Sequence, residues 1–387
     1  MAAIACGRAP KTETMEQLRE RVVAVAKDQA LYMDSQLTAR TSDRWICPRT
    51  FQGDTLVTSD IGWWCSGFYP GVLWQLYETT GDEVLKDLAV KHTLPLAGLL
   101  ERETDHDIGF QLMSSFGKMV RDLPSDPVGL AECDEAISPK AVLARGAETL
   151  AARFIPEAGI LRSWNGSRWN IPVIIDNMMN LDLLMVYGDR EVAEKHALTT
   201  LKNHFREDGT TWHLVDYADD GSILGKQTVQ GYADDSAWAR GQAWALYGYA
   251  QMAQREKEAG NDALAQQFYD VAAKLEGWML PRLPEDGVPY WDFSQNDLRD
   301  ASAGAILACG FLRMWALRDC SADDPALSMA ERILRTLASP EYLAEPGTNG
   351  GFLLKHSVGS LPGHSEVDVP LTYADYYFLE ALTQFPD

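Results

Sequence analysis

The sequence lacks most of the features that commit a chain to metal, phosphate or nucleophile chemistry. Its six cysteines, Cys6, Cys47, Cys65, Cys133, Cys309 and Cys320, form no CxxC pair and are irregularly spaced. That excludes a cysteine zinc site or a disulfide framework and predicts free, mostly buried thiols. HExxH, GxSxG and a phosphate-binding glycine loop are absent, so zinc-peptidase, serine-elbow and nucleotide-phosphate readings have no support. No apolar run approaches membrane-spanning length, and the first residues lack a basic segment followed by a long apolar one. Positive charge is scarce: 34 Lys and Arg face 56 Asp and Glu, a net charge of −22. Such a surface repels nucleic acid and anionic membranes. A soluble cytoplasmic protein is expected, with residues 1–14 as a loose leader and residues 15–387 as a single domain.

What is present is ordinary globular material, 46% hydrophobic and 23% charged, with twelve Trp and fourteen Tyr. Aromatics stack on sugars but more often fill cores, and the core is the default for most of these. Helical periodicity dominates. Leu18, Val22, Val25 and Met33 mark the face of a first helix; Phe68, Val72 and Leu76 mark a second. Val84, Leu85 and Leu88 begin a third, and further helices are predicted near 108–119, 139–153, 176–187, 191–206, 235–257, 261–281, 301–318, 324–338 and 373–384, about twelve in all. Strand signals are sparse; the best is a hairpin, Trp212–Tyr217 and Ser222–Gln227, turning at Asp220-Gly221.

Every second helix is preceded by a polar or glycine-rich cluster: Cys65-Ser66-Gly67, His106-Asp107, Asp176, Asp234-Asp235, Asp300-Ala301-Ser302 and Glu366-Val367-Asp368. The intervals, roughly 40 to 70 residues, suit helical hairpins with variable loops. Six hairpins closing into a ring, alternate helices inside, would gather these starts at one mouth. The reading is therefore all-α: a six-hairpin α/α barrel with a small β-hairpin in one loop. Helix N-termini attract anions, so the mouth of an acidic protein could still hold a carboxylate-bearing ligand.

Asp107, in Asp105-His106-Asp107-Ile108-Gly109-Phe110, and Asp176, in Ile174-Ile175-Asp176-Asn177-Met178, have apolar neighbours that would desolvate them and raise their pKa. Asp is also a favoured N-cap, and capping is the stronger reading of either one alone. Arg240 and Trp244 lie four apart on one predicted helix face, where Arg can fork onto a carboxylate and Trp can stack on a ring; a packed Arg–Trp pair is the plain alternative. His213 and Gln230 flank the hairpin. Arg162-Ser163-Trp164 precedes Asp176 and either lines the mouth or packs. Lys355-His356-Ser357 and Pro362-Gly363-His364-Ser365 form a polar loop, placed either against the far part of a ligand or in solvent.

In their order these segments resemble glycoside hydrolase family 88, the unsaturated glucuronyl hydrolases, from about Trp63 to Leu382. The resemblance is carried by Ser66-Gly67-Phe68-Tyr69-Pro70-Gly71, HDIGF at 106–110, Arg162-Ser163-Trp164, IIDNMMNL at 174–181, QGYADDSAWARGQAW at 230–244, VPYWDF at 288–293, DASAGAI at 300–306 and EVDVPLTYADYYFLEAL at 366–382. It implies an (α/α)6 barrel that hydrates the C4=C5 double bond of a terminal unsaturated uronic acid in lyase-cut oligosaccharides. By that resemblance Asp176 is the acid/base and Asp107 the second essential carboxylate. His213, Gln230, Arg240 and Trp244 hold the uronate, Trp164 walls the pocket, and His106, Lys355 and Ser357 contact substrate; the polar loop Lys355-His356-Ser357 is a candidate for sulfate recognition. No metal or organic cofactor is implied, and a monomer or homodimer is expected. The rivals are family 105 unsaturated rhamnogalacturonyl hydrolases, a sugar epimerase on the same barrel, for which seven scattered His offer no acid/base pair, and a non-catalytic sugar-binding protein. Chondroitin, hyaluronan, heparin, gellan, xanthan and ulvan all remain open as sources of substrate.

Overall fold

The computed structural model describes residues 13–40, 46–101, 105–122, 138–166 and 168–386. Cys6, Cys133 and residues 1–12 of the expected leader lie outside these. Thr14 belongs to the fold: it forms a capping box with Gln17 at the start of α1 (Met15–Thr38).

Six helical rods form an inner ring. They are α2 (Phe68–Thr80), the broken pair α4 (Ile108–Ser114) and α5 (Phe116–Asp122), α7 (Leu181–Tyr187), α9 (Ala239–Glu258), α11 (Ala301–Leu317) and α13 (Thr372–Gln384). Each packs on the next, and α13 returns to α2, closing the ring. Outside lie α1, α3 (Glu83–Thr93), α6 (Pro139–Ala151), α8 (Arg190–His204), α10 (Asp262–Met279) and α12 (Pro325–Leu337). The composition explains the sorting. Inner α11 is buried almost all round and is made of small and apolar residues; outer α12 buries one stripe, Ala326, Ala330, Ile333, Leu334 and Leu337. The continuous helix predicted at 108–119 breaks at Ser115 (φ −108, ψ −83). There Ser114 and Ser115 donate to the Phe110 and Gln111 carbonyls and compete with the helical ladder. The helix predicted from Asp235 begins later, at Ala239.

Close packing of the ring relies on Gly67. A Cβ there would sit 2.1 Å from the Gln111 carbonyl oxygen, a backbone atom that cannot swing aside. Gly67→Ala should therefore destabilise the fold by about 1–3 kcal/mol. Gly277, in α10, meets nothing within 4 Å, and Gly277→Ala should stabilise by roughly 0.5–1 kcal/mol. Thermal unfolding of the two variants should shift in opposite directions.

The β-structure exceeds the single predicted hairpin. That hairpin is present as β6 (Leu214–Tyr217) and β7 (Ile223–Gln227), but β5 (Ile171–Ile174) joins it in a sheet of order β5-β6-β7. Three two-stranded antiparallel sheets accompany it: β1 (Cys47–Gln52) with β2 (Thr55–Ser59), β3 (Phe154–Ile155) with β4 (Ile160–Leu161), and β8 (Ser357–Ser360) with β9 (Ser365–Val369). One hydrophobic cluster runs from Leu18 to Phe385. Trp74, Trp244, Tyr249 and Tyr373 are among its fully buried side chains, as the core default expected. Among the described residues Cys47, Cys65 and Cys309 are buried free thiols and Cys320 is an exposed one, and no helix is long and apolar enough to cross a membrane.

Candidate active site

The starts of the inner rods converge at one mouth, where capping and catalysis can be told apart. Asp82, Asp189, Asp300 and Asp324 each accept a backbone N–H at the start of a helix, as caps do. Asp107 stands at the N-cap position of α4 but makes no side-chain cap bond. Asp176 lies inside the 3-10 turn Ile175–Met179, also without a capping bond. Both carboxyls are thus held at helix starts without serving them.

Sheet register brings their segments together. The His106 N–H donates to the Ser163 carbonyl, and the Ser163 N–H to the Pro172 carbonyl. The Ile174 N–H donates to Ser163 Oγ at 3.0 Å. Segment 162–164 therefore ties the Asp107 turn to β5, which leads directly into Asp176. On the other side Ile174 pairs with Leu214, and the Ile175 N–H donates to the His213 carbonyl. His213 Nε2 then lies 3.7 Å from Asp176 Oδ2.

Neutrality and tautomer of His213 follow from its partners. Burial pushes its pKa down to about 3, helped by the Arg240 charge. Its Nδ1 receives the backbone N–H groups of Val229 (3.0 Å) and Gln230 (3.3 Å), so Nδ1 is the unprotonated nitrogen. The ring proton sits on Nε2, facing Asp176. Neither Asp176 Oδ2 nor His213 Nε2 has a hydrogen-bond partner among the described residues. Asp176, with 13% side-chain exposure, is pushed up to about 7 by burial, against the opposing effects of the Arg240 charge and a hydrogen bond from Trp244. Asp107 is raised well above the usual carboxylate range, first by burial, then by the Asp105 and Asp176 charges. The mouth thus holds an Asp107 biased toward its protonated form and, near neutral pH, an Asp176 poised between its two forms.

Arg240, in the first turn of α9, is buried and its fork is largely occupied. It donates to Asp300 Oδ2 (3.1 Å), to Gln230 Oε1 (3.0 Å) and to the Val358 and Gly359 carbonyls of β8. Its guanidinium also lies 4.5 Å from the Trp238 ring centre. A bidentate grip on a ligand carboxylate, expected from sequence, has few donors left. Gln230 accepts from Arg240 through oxygen, which leaves its amide nitrogen for a ligand. Asp300, fully buried, was visible in the sequence as a helix-start cluster but not as the counterion of Arg240.

Several expected ligand contacts need correction. Trp244 is fully buried, with Phe110 at 5.1 Å and Tyr377 at 5.3 Å between ring centres. It cannot stack on a sugar, and its N–H serves Asp176 instead. His106, 1% exposed, lies beneath Asp107 with Nε2 3.4 Å from Asp107 Oδ1; burial pushes its pKa down to about 3. Ser357 is inaccessible, and Lys355 Nζ donates to the Pro340 carbonyl at 2.8 Å. Trp164 stays partly open, edge-on to Trp169 at 5.8 Å and bridged to Asp105 through the backbone.

No family model matches the chain. It is 38% identical over 336 residues to an unsaturated glucuronyl hydrolase of Formosa agariphila, covering 82% of this chain and 79% of that protein. The chain belongs to the unsaturated glucuronyl hydrolases. An unsaturated glucuronyl hydrolase of Bacillus sp. strain GL1 is 33% identical over 84% of this chain and 87% of its own length. A crystal structure of an unsaturated glucuronyl hydrolase specific for heparin superposes with a TM-score of 0.83 at 36% identity, covering 95% of this chain and 97% of that one. The unsaturated glucuronyl hydrolase fold is an α/α barrel, and the closed ring of six inner rods is that barrel. The protein is accordingly an enzyme, a glycoside hydrolase.

Proposed function

We propose that this hydrolase removes a terminal 4,5-unsaturated uronic acid by adding water across C4=C5, with Asp176 as both acid and base. The observation that carries the reading is the Asp176 carboxyl itself: raised to about 7, with Oδ2 lacking a donor and His213 Nε2 at 3.7 Å. Protonated Asp176 gives its proton to C4, and positive charge develops at C5 and the ring oxygen. A water attacks C5 and loses a proton to the Asp176 carboxylate, which restores the starting acid. The C5 hemiketal opens to a ketone, and the freed C1 hemiacetal expels the remaining saccharide, so one water is consumed. Asp107, biased toward its protonated form by burial and the neighbouring carboxylates, hydrogen-bonds the sugar. The Gln230 amide nitrogen and the His213 Nε2–H offer neutral donors to the uronate, and Trp164 forms one wall.

Uronate oligosaccharides of the glycosaminoglycan type suit this site. Support comes from the heparin-specific homologous structure, from an unsaturated chondroitin disaccharide hydrolase of Streptococcus pneumoniae at 30% identity over 83% of this chain, and from a structure of a Streptococcus agalactiae homologue complexed with dGlcA-GalNAc6S. The test is the ultraviolet absorbance of the conjugated uronate, followed over unsaturated disaccharides from chondroitin, heparin, gellan, ulvan and rhamnogalacturonan. Absorbance should fall for at least one uronate. A folded enzyme that leaves all of them intact would sink the proposal.

The pH dependence has a defined sign. Asp176 must start protonated, so kcat/KM should hold below about pH 7 and fall as pH rises through it. His213, with a pKa of about 3, should add no inflection between pH 5 and 8. A rate that rises through pH 7 would contradict the assignment of Asp176 as the acid.

A further inference from the structure

A second cavity, of about 550 Å³, lies within the ring of inner rods, and neither Asp107 nor Asp176 lines it. It is lined by Tyr247 to Arg255 of α9, Arg313 of α11, Tyr376 to Gln384 of α13 and Asp182 to Tyr187 of α7, and along the α4–α5 rod it runs from Arg121 up to Phe110. Phe110 and Tyr377 line its inner end and pack on the fully buried Trp244, with ring centres 5.1 and 5.3 Å from it. Its volume lies in the range of small-molecule sites.

Its lining is less acidic than the protein as a whole. In a chain of net charge −22, four cations, Lys118, Arg121, Arg255 and Arg313, line it with only two carboxylates, Asp182 and Glu380. Helix C-termini favour nearby cations, which accounts for their position but supplies no counterion. Three have carboxylates: Arg255 grips Asp182 at 2.6 Å, Lys118 lies 3.8 Å from Glu380, and Arg121 pairs with Glu78. Arg313 differs. Its partners are neutral, Gln254 Oε1 and the Tyr247 hydroxyl at 3.5 Å. Among the described residues it forms no ion pair. It also lines an adjoining cavity of about 380 Å³ with Gln254 and Gln384, so its guanidinium stands where the two spaces meet. Against the opposing effect of burial, Tyr247, Glu380 and Asp182 raise its pKa through their charges, but neither carboxylate is in ion-pair contact with it, which leaves the guanidinium open to a bound anion.

We propose that this cavity is a second binding site, separate from the catalytic mouth, for a small organic anion of sugar-acid size whose acid group pairs with Arg313. The space exceeds what an inorganic anion fills, and around Arg313 it presents tyrosine rings and the Gln251 and Gln254 amides, groups that suit a hydroxylated ring. A bound acid would make a charge-assisted, two-pronged contact with the guanidinium. The inference does not depend on the assignment of Asp176.

Calorimetric titration of the full chain with D-glucuronate, neutral D-glucose and inorganic sulfate tests this. Glucuronate should bind wild type and Asp176→Asn alike, and glucose should not. Arg313→Gln should weaken glucuronate by about tenfold or more while leaving hydrolysis unchanged. Gln251→Phe, which fills the cavity without removing the charge, should also block binding and serves if Arg313→Gln folds poorly. Undiminished binding to Arg313→Gln or to Gln251→Phe, loss only in Asp176→Asn, or no binding by wild type at 10 mM, a concentration on the order of a weak ligand's Kd, would each overturn the proposal. Binding of sulfate but not glucuronate would overturn the sugar-acid class.

Discussion

Replacing Asp176 by Asn should lower kcat by about 10³-fold or more while making the folded protein more stable above pH 7. The kinetic loss follows because one carboxyl both delivers the proton to C4 and accepts one from water, and each role contributes on the order of 10²–10⁴-fold. Asparagine keeps the shape and an oxygen for the Trp244 N–H, so little packing is lost. The stability gain has the opposite origin. The Asp176 carboxyl rests at about 7 in the folded chain against an ordinary value of 3.8. The folded state therefore holds the proton more tightly than the unfolded chain does. Stability from this group is greatest below pH 4, declines as pH rises, and is lowest above pH 7, where the buried carboxylate costs up to about 4 kcal/mol. Asparagine has no charge to bury. Denaturant unfolding at pH 5 and pH 8.5 should show a difference between variant and wild type that widens with pH. A constant difference, with kcat within tenfold of wild type, would remove Asp176 from the centre of the reaction. Loss of activity with gain of stability is what a group held under electrostatic tension for function should give.

The site was partly legible in the sequence. Asp107 and Asp176 stood out because apolar residues flank each and both fall at helix starts. The sequence could not separate them from caps, because N-cap geometry depends on whether a side chain turns back to its own helix or into the mouth. Asp300 looked the same and does cap, while also holding Arg240 from 60 residues away. The barrel was legible because inner and outer helices bury different fractions of their surface, which periodicity records. The sheet that sets His213 against Asp176 was only half visible. Its hairpin has a turn signal at Asp220-Gly221, with Gly221 at φ +80, but β5 is a four-residue buried run, IPVI, that reads as the lead-in to a helix. The β8–β9 hairpin was hidden for another reason: His356, His364, Glu366 and Asp368 adopt positive φ without being glycine, so the usual residue signature of such turns is missing. Trp244 misled because spacing puts it on the face of Arg240 but cannot say how deep in the barrel that face lies one turn on.

Arg240→Met should have the largest effect on the fold of any substitution at the mouth. Arg240 joins three parts of the chain: Asp300 at the start of α11, Gln230 beyond the β6–β7 hairpin, and the Val358 and Gly359 carbonyls of β8. Methionine fills much of the volume but leaves the fully buried Asp300 without its cation. Asp300 would still accept from the Ser302 and Val358 N–H groups, which limits the damage. Loss of one partner of a buried pair costs about 3–5 kcal/mol, and a melting temperature lower by on the order of 5 °C is expected. The charge has a second, separable role, since Arg240 lowers Asp176. Without it the Asp176 pKa rises further, and the alkaline fall in kcat/KM should move to higher pH. Arg240→Lys distinguishes the two roles. A lysine keeps the charge, and so should keep the alkaline limb near its wild-type position. It cannot reproduce a planar fork that reaches a carboxylate, an amide and two carbonyls together, and so should lose much of the same stability. If both variants shift the limb equally, the effect on Asp176 is one of position rather than charge. If neither loses stability, the four contacts of Arg240 do not hold the mouth together.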